Sequence, residues 1–216
     1  MSCHELVRLL SADHIHEEQH LRRITAVENV SLDGVMQAPG GADEDTRDGF
    51  AHGGWAGPYG DHVLGEYMGR GMAEEGALLF GRRTYEQFFR YWPHQTDNPF
   101  TAVLDARTKY VTSTKLADPL PWQNSVALPG DAGESVARLK AEDGPDLTLL
   151  GSGELLQTLV RHDLVDEFVL TVHPLVLGSG QRLFRNGGQP TSLELVETLP
   201  TTTGVIIARY RAVAMA

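Results

Sequence analysis

The sequence predicts a three-layer α/β sandwich whose central sheet has about eight strands, mostly parallel, with an antiparallel edge. Three observations lead to this fold class. Predicted strands alternate with predicted helices over most of the chain, and the last predicted elements are strands alone. The length of 216 residues is also typical of one domain.

The first predicted strand covers residues 24–30 and ends in the turn Ser31-Leu32-Asp33-Gly34, where Asp-Gly is a strong turn signal. Apolar residues at helical spacing predict a helix from an N-cap at Asp61, a second that ends at Pro93, and two more over 134–142 and directly after Gly153. Apolar runs predict the other strands at 77–80, 100–104, 109–113, 125–128, 147–150, 167–172, 193–199 and 204–212.

Composition excludes several classes of function. With 18 Lys and Arg against 29 Asp and Glu, the net charge is −11, so the average field repels nucleic acid and anionic membranes. No stretch approaches the roughly 20 apolar residues of a membrane span, and the N-terminus lacks the pattern of a secretory signal. The single cysteine cannot form an internal disulfide. We therefore expect a cytoplasmic protein that binds a small molecule.

Residues 1–22 form a polar, His-rich N-terminal extension, and we expect the domain itself to cover 23–216. The segment from His16 to His20 matches the zinc-protease pattern H-E-x-x-H. It lies in a weakly apolar tail and has neither a substrate-binding strand before it nor a third ligand after it. We interpret it as a solvated polar helix and predict no metal site. A metalloprotease remains an alternative function, in which deletion of the extension would abolish activity.

Two predicted strands pass into a helix through glycine, at Gly81-Arg82-Arg83-Thr84 and at Gly151-Ser152-Gly153-Glu154. Ligands of open α/β sheets bind at the carboxyl ends of strands, where helix N-termini offer free N–H groups to phosphate. Two such turns suit a pyrophosphate, and the arginines add positive charge to an acidic protein. The alternative is that the glycines serve only close packing of helix and strand.

A third strand end carries hydroxyl groups and an ammonium group, at Thr112, Ser113 and Lys115. Such groups can hold one further phosphate, as the 2′-phosphate of an adenosine requires. An ordinary polar strand end is the alternative. The region 37–61 is rich in Gly and Asp and has no periodicity, which is typical of a ligand-covering lid or of a poorly ordered loop.

Five motifs, in this order, resemble the dihydrofolate reductase-like superfamily, and in particular stand-alone proteins like the C-terminal reductase domain of the riboflavin biosynthesis deaminase-reductase, RibD. The resemblance spans about residues 23–213. Its motifs are SLDG at 31–34 with GGW at 53–55, LFGRRTYE at 79–86, LLGSGEL at 149–155, LVDE at 164–167, and PLVLGSGQRLF at 174–184. It implies a dihydrofolate reductase-like sandwich that binds NADPH. The deaminase activity of the fused protein is excluded, because its zinc site needs more than one cysteine.

The resemblance also implies the cofactor contacts. Gly81, Arg82, Arg83 and Thr84 correspond to a pyrophosphate site, and Thr112 with Ser113 to the 2′-phosphate side of the adenosine. The backbone N–H groups of the second turn complete the pyrophosphate site, from Gly151, Ser152, Gly153, Glu154 and Leu155. Ser152 stands where many relatives have a glycine, and its small hydroxyl still permits close approach.

Hydride transfer needs a proton source, usually a buried carboxyl group. Asp33 beside the lid and Glu66 on the first helix are the catalytic candidates, although Asp33 can equally be a turn residue and Glu66 a solvated one. For substrate binding we consider Trp55, which can stack on a flat heterocycle or fill the core. Gln181 and Arg182 follow the last glycine turn and could reach a substrate phosphate.

The leading hypothesis is an NADPH-dependent reductase that transfers hydride to a small heterocyclic or carbonyl acceptor. Within it, the resemblance implies reduction of a phosphoribosylamino-pyrimidine in riboflavin biosynthesis first, and reduction of a folate or pteridine second. The opposing hypothesis is an inactive nucleotide-binding module that acts as a sensor or scaffold. We expect a homodimer, and the sequence does not identify the acceptor.

Overall fold

The computed structural model describes residues 21–188 and 190–214. Its eight strands are β1 Ile24–Ser31, β2 Ala77–Gly81, β3 Lys109–Thr112, β4 Ser125–Leu128, β5 Leu147–Leu150, β6 Glu167–His173, β7 Ser192–Pro200 and β8 Ile206–Val213. Its five α-helices are α1 His62–Ala73, α2 Arg82–Tyr91, α3 Pro99–Ala106, α4 Ala132–Lys140 and α5 Gly153–Arg161. Short 3₁₀ helices cover Arg47–Gly49, Gly57–Tyr59 and Trp92–His94.

The strands form one sheet in the order β4-β3-β2-β5-β1-β6-β8-β7. The first six of these are joined by parallel pairing, whereas β8 pairs antiparallel with both β6 and β7. Crossover connections link the parallel strands, as parallel pairing requires. They contain helices except between β3 and β4, where residues 113–124 form no helix. The predicted fold class is confirmed: a mainly parallel sheet of eight strands with an antiparallel edge.

Two apolar cores lie against the sheet and make the three layers. The larger core joins alternate residues of β1, namely Ile24, Ala26 and Val30, to α4 and α5. The second core joins Leu78 and Phe80 of β2 to α2 and α3. Every second residue of a strand points to the same face, so each core takes its own set of side chains from the sheet.

One predicted strand is wrong: residues 100–104 belong to helix α3. Asn98 caps this helix by accepting a hydrogen bond from the N–H of Phe100, and Pro99 occupies the first turn, where its missing N–H costs nothing. At the other end, the buried ammonium group of Lys109 donates to the carbonyl oxygens of Leu104 (2.6 Å) and Arg107 (2.8 Å). The Asn-Pro pair was the signal for a helix start.

The last residue of the predicted N-terminal extension, Arg22, contacts the domain. Arg22 is buried, and its guanidinium donates to the carbonyl oxygens of Glu142 and Asp143 after α4. Arg22 therefore belongs to the domain. The motif from His16 to His20 lies outside the described residues.

The paths of β1 and its neighbours open the sheet at one place. The pairing of β1 with β5 ends at Val27 and Leu150, while its pairing with β6 continues to Ser31 and His173. Beyond Val27, strand β1 therefore has a free edge on the side of β5. A gap of this kind at the carboxyl ends of parallel strands is where open α/β sheets bind ligands.

Candidate active site

A cleft of about 940 Å³ lies at this gap. Its walls come from the carboxyl ends of β1, β2, β3 and β5, from the start of α2 and of α5, and from the region 37–61. On the side of α1 and α3 the lining is apolar and includes Leu64, Met68 and Phe100. One end of the cleft is thus polar and carries backbone N–H groups, and another wall is hydrophobic.

The two glycine turns are joined directly by hydrogen bonds. The Ser152 hydroxyl accepts from the N–H of Gly81 (3.0 Å), and the N–H of Ser152 donates to the Thr84 hydroxyl (3.1 Å). Ser152 itself has left-handed backbone angles, with φ 61° and ψ 43°, which few residues other than glycine adopt. The structure thus brings the two predicted pyrophosphate turns together into one unit.

Helix α5 begins immediately after this tie. Its first backbone N–H groups, at Gly153, Glu154 and Leu155, point out of the helix end, because an α-helix offers them no internal acceptor. All three residues line the cleft together with Gly151 and Ser152. The predicted N-terminal phosphate site is therefore open to the cleft.

Positive charge comes from α2. Arg82 and Arg83 both line the cleft. Arg82 is held by an ion pair with Glu86, at 2.7 Å, whereas Arg83 is exposed and forms no ion pair with any residue in the described part of the chain. In the first turn of α5, the Glu154 carboxylate forms an ion pair with Arg185, with Nη2 and Oε1 2.6 Å apart. This contact lowers the pKa of the Glu154 carboxyl group.

The third predicted phosphate element is only partly in the cleft. Thr112 lines it and donates to the carbonyl oxygen of Phe80, at 3.3 Å. The Ser113 hydroxyl accepts from the N–H groups of Lys115 and Leu116, which closes a turn, and Ser113 is not among the lining residues. Thr112 is therefore the better placed of the two.

The region 37–61 covers the cleft and is fastened on both sides. Gln37 is buried and accepts from the N–H of Gln181 at 2.9 Å, while its own amide group donates to the carbonyl oxygens of Asp45 and Arg47. The Gln87 side chain of α2 donates to the carbonyl oxygen of Glu44. These contacts make the region an ordered lid, and Gln181 is one of its fastening points as well as a lining residue.

Trp55 does not reach the cleft lining. It is 7% exposed and donates from its indole N–H to the carbonyl oxygen of Gln37 at 2.7 Å. Its ring packs edge-on against His173, with centroids 5.1 Å apart. Trp55 thus holds the lid against β6, which corresponds to the core-filling alternative.

Asp33 and Arg182 form a structural pair beside the cleft. The Asp33 carboxylate accepts from the Ser31 hydroxyl and from the N–H groups of Leu177 and Gly178. These hydrogen bonds, that from Ser31 above all, lower the pKa of Asp33 to about 2. Arg182 donates to the carbonyl oxygen of Asp33 and neither residue lines the cleft. An ionised carboxylate cannot supply a proton at neutral pH, so this geometry does not support Asp33 as the acid.

Glu66 also lies away from the cleft. It is exposed on α1 and is absent from the lining, to which the same helix contributes Leu64, Met68 and Met72. The apolar face of α1 is turned toward the cleft and Glu66 is exposed to solvent, which agrees with the alternative interpretation of Glu66 as a solvated residue. The structure therefore brings neither catalytic candidate into the cleft.

Several polar lining residues were not predicted from the sequence, and two of them, Glu28 and Asn29, lie on strand β1. Glu28 is 3% exposed, and burial raises the pKa of its carboxyl group well above the ordinary value. The Asn29 side-chain oxygen lies 2.7 Å from the Thr171 hydroxyl and 3.0 Å from Nε2 of His173. Burial lowers the pKa of His173 to about 4, so the imidazole is neutral at neutral pH. A glutamate within an otherwise apolar alternation was the available signal.

The described residues contain no cluster of three or more metal-ligating side chains. Within the same ranges, no helix is long and apolar enough to cross a membrane.

The RibD C-terminal domain model matches residues 22–207 of the chain. Two Bacillus subtilis proteins are similar in sequence. The uncharacterized protein YyaP is 31% identical over 140 residues, which is 62% of this chain and 72% of YyaP. The uncharacterized protein YwjB is 44% identical over 62 residues, 29% of this chain, and the match spans only about a third of YwjB, 36% of its length.

Three solved structures are similar in fold. A Shewanella sp. PV-4 protein named for riboflavin biosynthesis has a TM-score of 0.63 at 19% identity, over 89% of this chain and 99% of its own. A pyrimidine reductase-like protein of Corynebacterium diphtheriae has a TM-score of 0.58 at 14% identity, over 91% and 94%. Dihydrofolate reductase of Enterococcus faecalis, complexed with NADP(H), has a TM-score of 0.55 at 14% identity, over 88% and 96%.

The family match covers the whole sheet up to β8, and the strand order and flanking helices agree with the fold of these structures. The predicted resemblance is thereby confirmed: the chain belongs to the RibD C-terminal domain family and has the dihydrofolate reductase-like fold.

Proposed function

We propose that the protein is an NADPH-dependent reductase that transfers hydride to a small heterocyclic or carbonyl acceptor. One observation carries the proposal. Two glycine turns, tied through Ser152, place the open N-terminus of α5 and the two arginines of α2 on the same cleft. Such a combination of free N–H groups and bidentate donors fits a pyrophosphate.

The residues present fit the cofactor along the edge of the sheet. The N-terminus of α5, with Arg82 and Arg83, would hold the pyrophosphate. Thr112 at the end of β3, which is separated from β5 by β2, would lie toward the adenosine. When bound, NADPH supplies the hydride. The protein then has to align the acceptor, exclude water and provide a proton. The enzyme in the Enterococcus faecalis structure is complexed with NADP(H), which supports the same cofactor here.

The acceptor would bind against the apolar wall formed by α1 and α3. Leu64, Met68, Met72 and Phe100 offer flat and flexible apolar contacts, which suit a planar heterocycle. The two acceptors that we propose to test first are a phosphoribosylamino-pyrimidine and a dihydrofolate or pteridine. The names of the Shewanella and Corynebacterium proteins favour the pyrimidine.

Calorimetric titration with NADPH, and with NADH at the same salt concentration, tests the cofactor assignment. We expect NADPH to bind more tightly than NADH, because only NADPH carries the 2′-phosphate. Equal affinity would remove the 2′-phosphate site at Thr112, and binding of neither nucleotide would contradict the reductase. An acceptor screen that follows NADPH oxidation by absorbance then tests turnover.

We also propose that the protein acts in the cytoplasm as a homodimer. The edge strand β7 and its neighbour β8 expose large apolar side chains, including Leu195 (52% exposed), Val196 (42%) and Val213 (39%). Exposed apolar side chains on a sheet edge favour association across a two-fold axis. Light scattering of the purified protein measures the oligomeric state, and a monomer at micromolar concentration would contradict this part of the proposal.

A further inference from the structure

The contacts of the buried Glu28 carboxyl group reveal no role for it in stabilising the fold. Glu28 lies on the same face of β1 as Ile24, Ala26 and Val30, which are core residues. Its side-chain oxygen Oε1 is sealed from solvent, and no described residue offers it a hydrogen bond. A buried polar atom without a partner costs free energy, so the position calls for a functional explanation.

Glu28 stands where the sheet opens. It is the first residue of β1 beyond the last pair with β5, Val27 and Leu150, and it lines the cleft. The phosphate-suited strand ends lie on β3, β2 and β5, which are consecutive neighbours in the sheet, and β1 is the next strand. A dinucleotide laid along these strand ends with its pyrophosphate at β2 and β5 has its nicotinamide end at β1. Glu28 is therefore at the nicotinamide end of the cleft, on the face of β1 that packs against α4 and α5. An acceptor on the wall of α1 and α3 reaches this carboxyl group through the gap between β1 and β5.

Burial favours the neutral form of this carboxyl group. Its pKa is raised by burial alone, with no charged group contributing. From the elements around it, β6 offers the neutral His173, and α5 offers Glu154, which is paired with Arg185. The lid adds Glu44 and Arg47 to the cleft lining; the pKa of Glu44 is also raised by burial, and Arg47 is paired with Asp45. A protonated carboxyl group is a hydrogen-bond donor and an acid.

We propose that Glu28 is the general acid of this reductase, an inference that rests on the proposed function. As hydride from NADPH reduces a C=N or C=O group of the acceptor, the O–H bond of Glu28 breaks and an N–H or O–H bond forms on the acceptor. NADPH is oxidised to NADP⁺, the acceptor gains two electrons and two hydrogens, and the Glu28 carboxylate regains its proton from water. Asp33 and Glu66 have no part in this step.

The protonation state of Glu28 is measurable without an acceptor. In infrared difference spectra at about pH 7, the wild type should show a carboxylic acid C=O band that Glu28→Gln lacks. The matched control is Glu194→Gln, which changes an exposed glutamate on a strand far from the cleft lining and should keep the band. If the spectra of the wild type and of Glu28→Gln do not differ in a carboxylic acid band, Glu28 is ionised and the proposal is overturned.

Unfolding provides a second measurement of the same group. Since the folded-state pKa of Glu28 is raised, its contribution to stability is present below the ordinary value of 4.5 and is lost as the pH rises through the folded-state pKa. The Glu28→Gln variant does not lose it. The melting temperature of Glu28→Gln minus that of the wild type should therefore be larger at about pH 8 than at about pH 5. A difference that does not change with pH would overturn the proposal.

Turnover is then measured with dihydrofolate and with isatin, a heterocyclic and a carbonyl probe, after NADPH affinity has been determined for each variant. We expect Glu28→Gln to bind NADPH with an affinity within about twofold of the wild type but to lower kcat by about 100-fold, with KM nearly unchanged. The wild-type kcat should fall as the pH rises through the pKa of Glu28, and that fall should be absent in Glu28→Gln. Glu28→Asp should restore part of kcat.

The outcomes separate the two proposals. If the wild type does not bind NADPH, or binds it and reduces neither probe nor any acceptor of the screen, the proposed function fails and the role of Glu28 with it. If the wild type turns over and Glu28→Gln keeps the wild-type kcat, the reductase stands and Glu28 is not its acid. Loss of NADPH affinity in Glu28→Gln with unchanged kcat at saturation would make Glu28 a cofactor-binding residue instead.

Discussion

The two ends of the cleft are built in different ways. At the proposed cofactor end, the lining residues are consecutive in the chain, in the turns 81–84 and 151–155, and backbone N–H groups would supply much of the binding. At the acceptor end, the residues come from β1, α1, α3, β6 and the lid, and they meet only in the folded protein. A site made by local turns can be identified from a short motif, whereas a site made by long-range contacts cannot.

The largest effect is expected at the cofactor end. The double substitution of Arg82 and Arg83 by Ala should weaken NADPH binding by about 2 to 4 kcal/mol, because each charge-assisted hydrogen bond to phosphate contributes about 1.5 to 3 kcal/mol with imperfect additivity. Calorimetry measures the change. The control is Arg138→Ala on α4, whose partner Glu134 lies 3.9 Å away on the surface. Unchanged affinity in the double variant would show that the arginines are only solvated.

The anchor at Asp33 should affect stability and not cofactor affinity. Asp33→Asn places an amide against the N–H groups of Leu177 and Gly178, and we expect a loss of about 1.5 to 3 kcal/mol in the free energy of unfolding. Denaturant unfolding measures it. The folded-state pKa of Asp33 is lowered from 3.8 to about 2, so its contribution is present above the ordinary pKa and is lost as the pH falls through the folded-state pKa. The difference in the free energy of unfolding between the wild type and Asp33→Asn should therefore become smaller in acid. A tenfold change in NADPH affinity would contradict the prediction, because it would show that Asp33 also affects cofactor binding.

The lid provides a test confined to the acceptor end. Trp55→Phe removes the hydrogen bond to the Gln37 carbonyl oxygen, at a cost of about 1.5 kcal/mol in the free energy of unfolding. Hydrogen exchange of the amides in residues 37–61 should accelerate. The matched control is Trp122→Phe, since Trp122 is also buried and donates from its indole N–H, but to the Asp105 side chain in α3. Equal acceleration in both variants would mean that the lid opens only with the whole domain.

The smallest effect concerns the backbone of Ser152. Ala cannot relieve the left-handed angles at this position, whereas Gly can, so Ser152→Gly should be more stable than Ser152→Ala by about 1 kcal/mol. Both variants lose the hydroxyl that accepts from Gly81. Thermal unfolding compares them. Equal stabilities would mean that the angles at residue 152 relax when the hydroxyl is removed.

Prediction from the sequence succeeded where the physical signal was local. Alternating strands and helices fixed the layer order, and Asp61 was correctly identified as the cap of α1, accepting from the N–H of Leu64. The strand predicted at 100–104 is wrong because a short apolar run is compatible with either a strand or a helix, and the local signal for the helix is the Asn98 cap followed by Pro99.

Asp33 stands in a recognisable Asp-Gly turn and Glu66 in a recognisable helix, so the sequence points to these two carboxyl groups as candidate acids. What distinguishes Glu28 is its burial and the separation of β1 from β5, and both depend on strand register between distant parts of the chain. Neither can be derived from residues 24–31 alone. The same holds for Trp55, whose orientation is set by its hydrogen bond to Gln37 and by the ring of His173.

The hydrogen bonds that run from Gly81 through Ser152 to Thr84 have a consequence for how this fold can change. Because the two phosphate turns share one residue as donor and acceptor, neither can move or widen without displacing the other. If the cradle binds the proposed cofactor, a change of cofactor preference during evolution would therefore arise more readily near Thr112, whose hydroxyl donates only to the carbonyl oxygen of Phe80 among the described contacts. The acceptor end, held by separate fasteners on the lid, is free to diversify while the phosphate cradle stays constant.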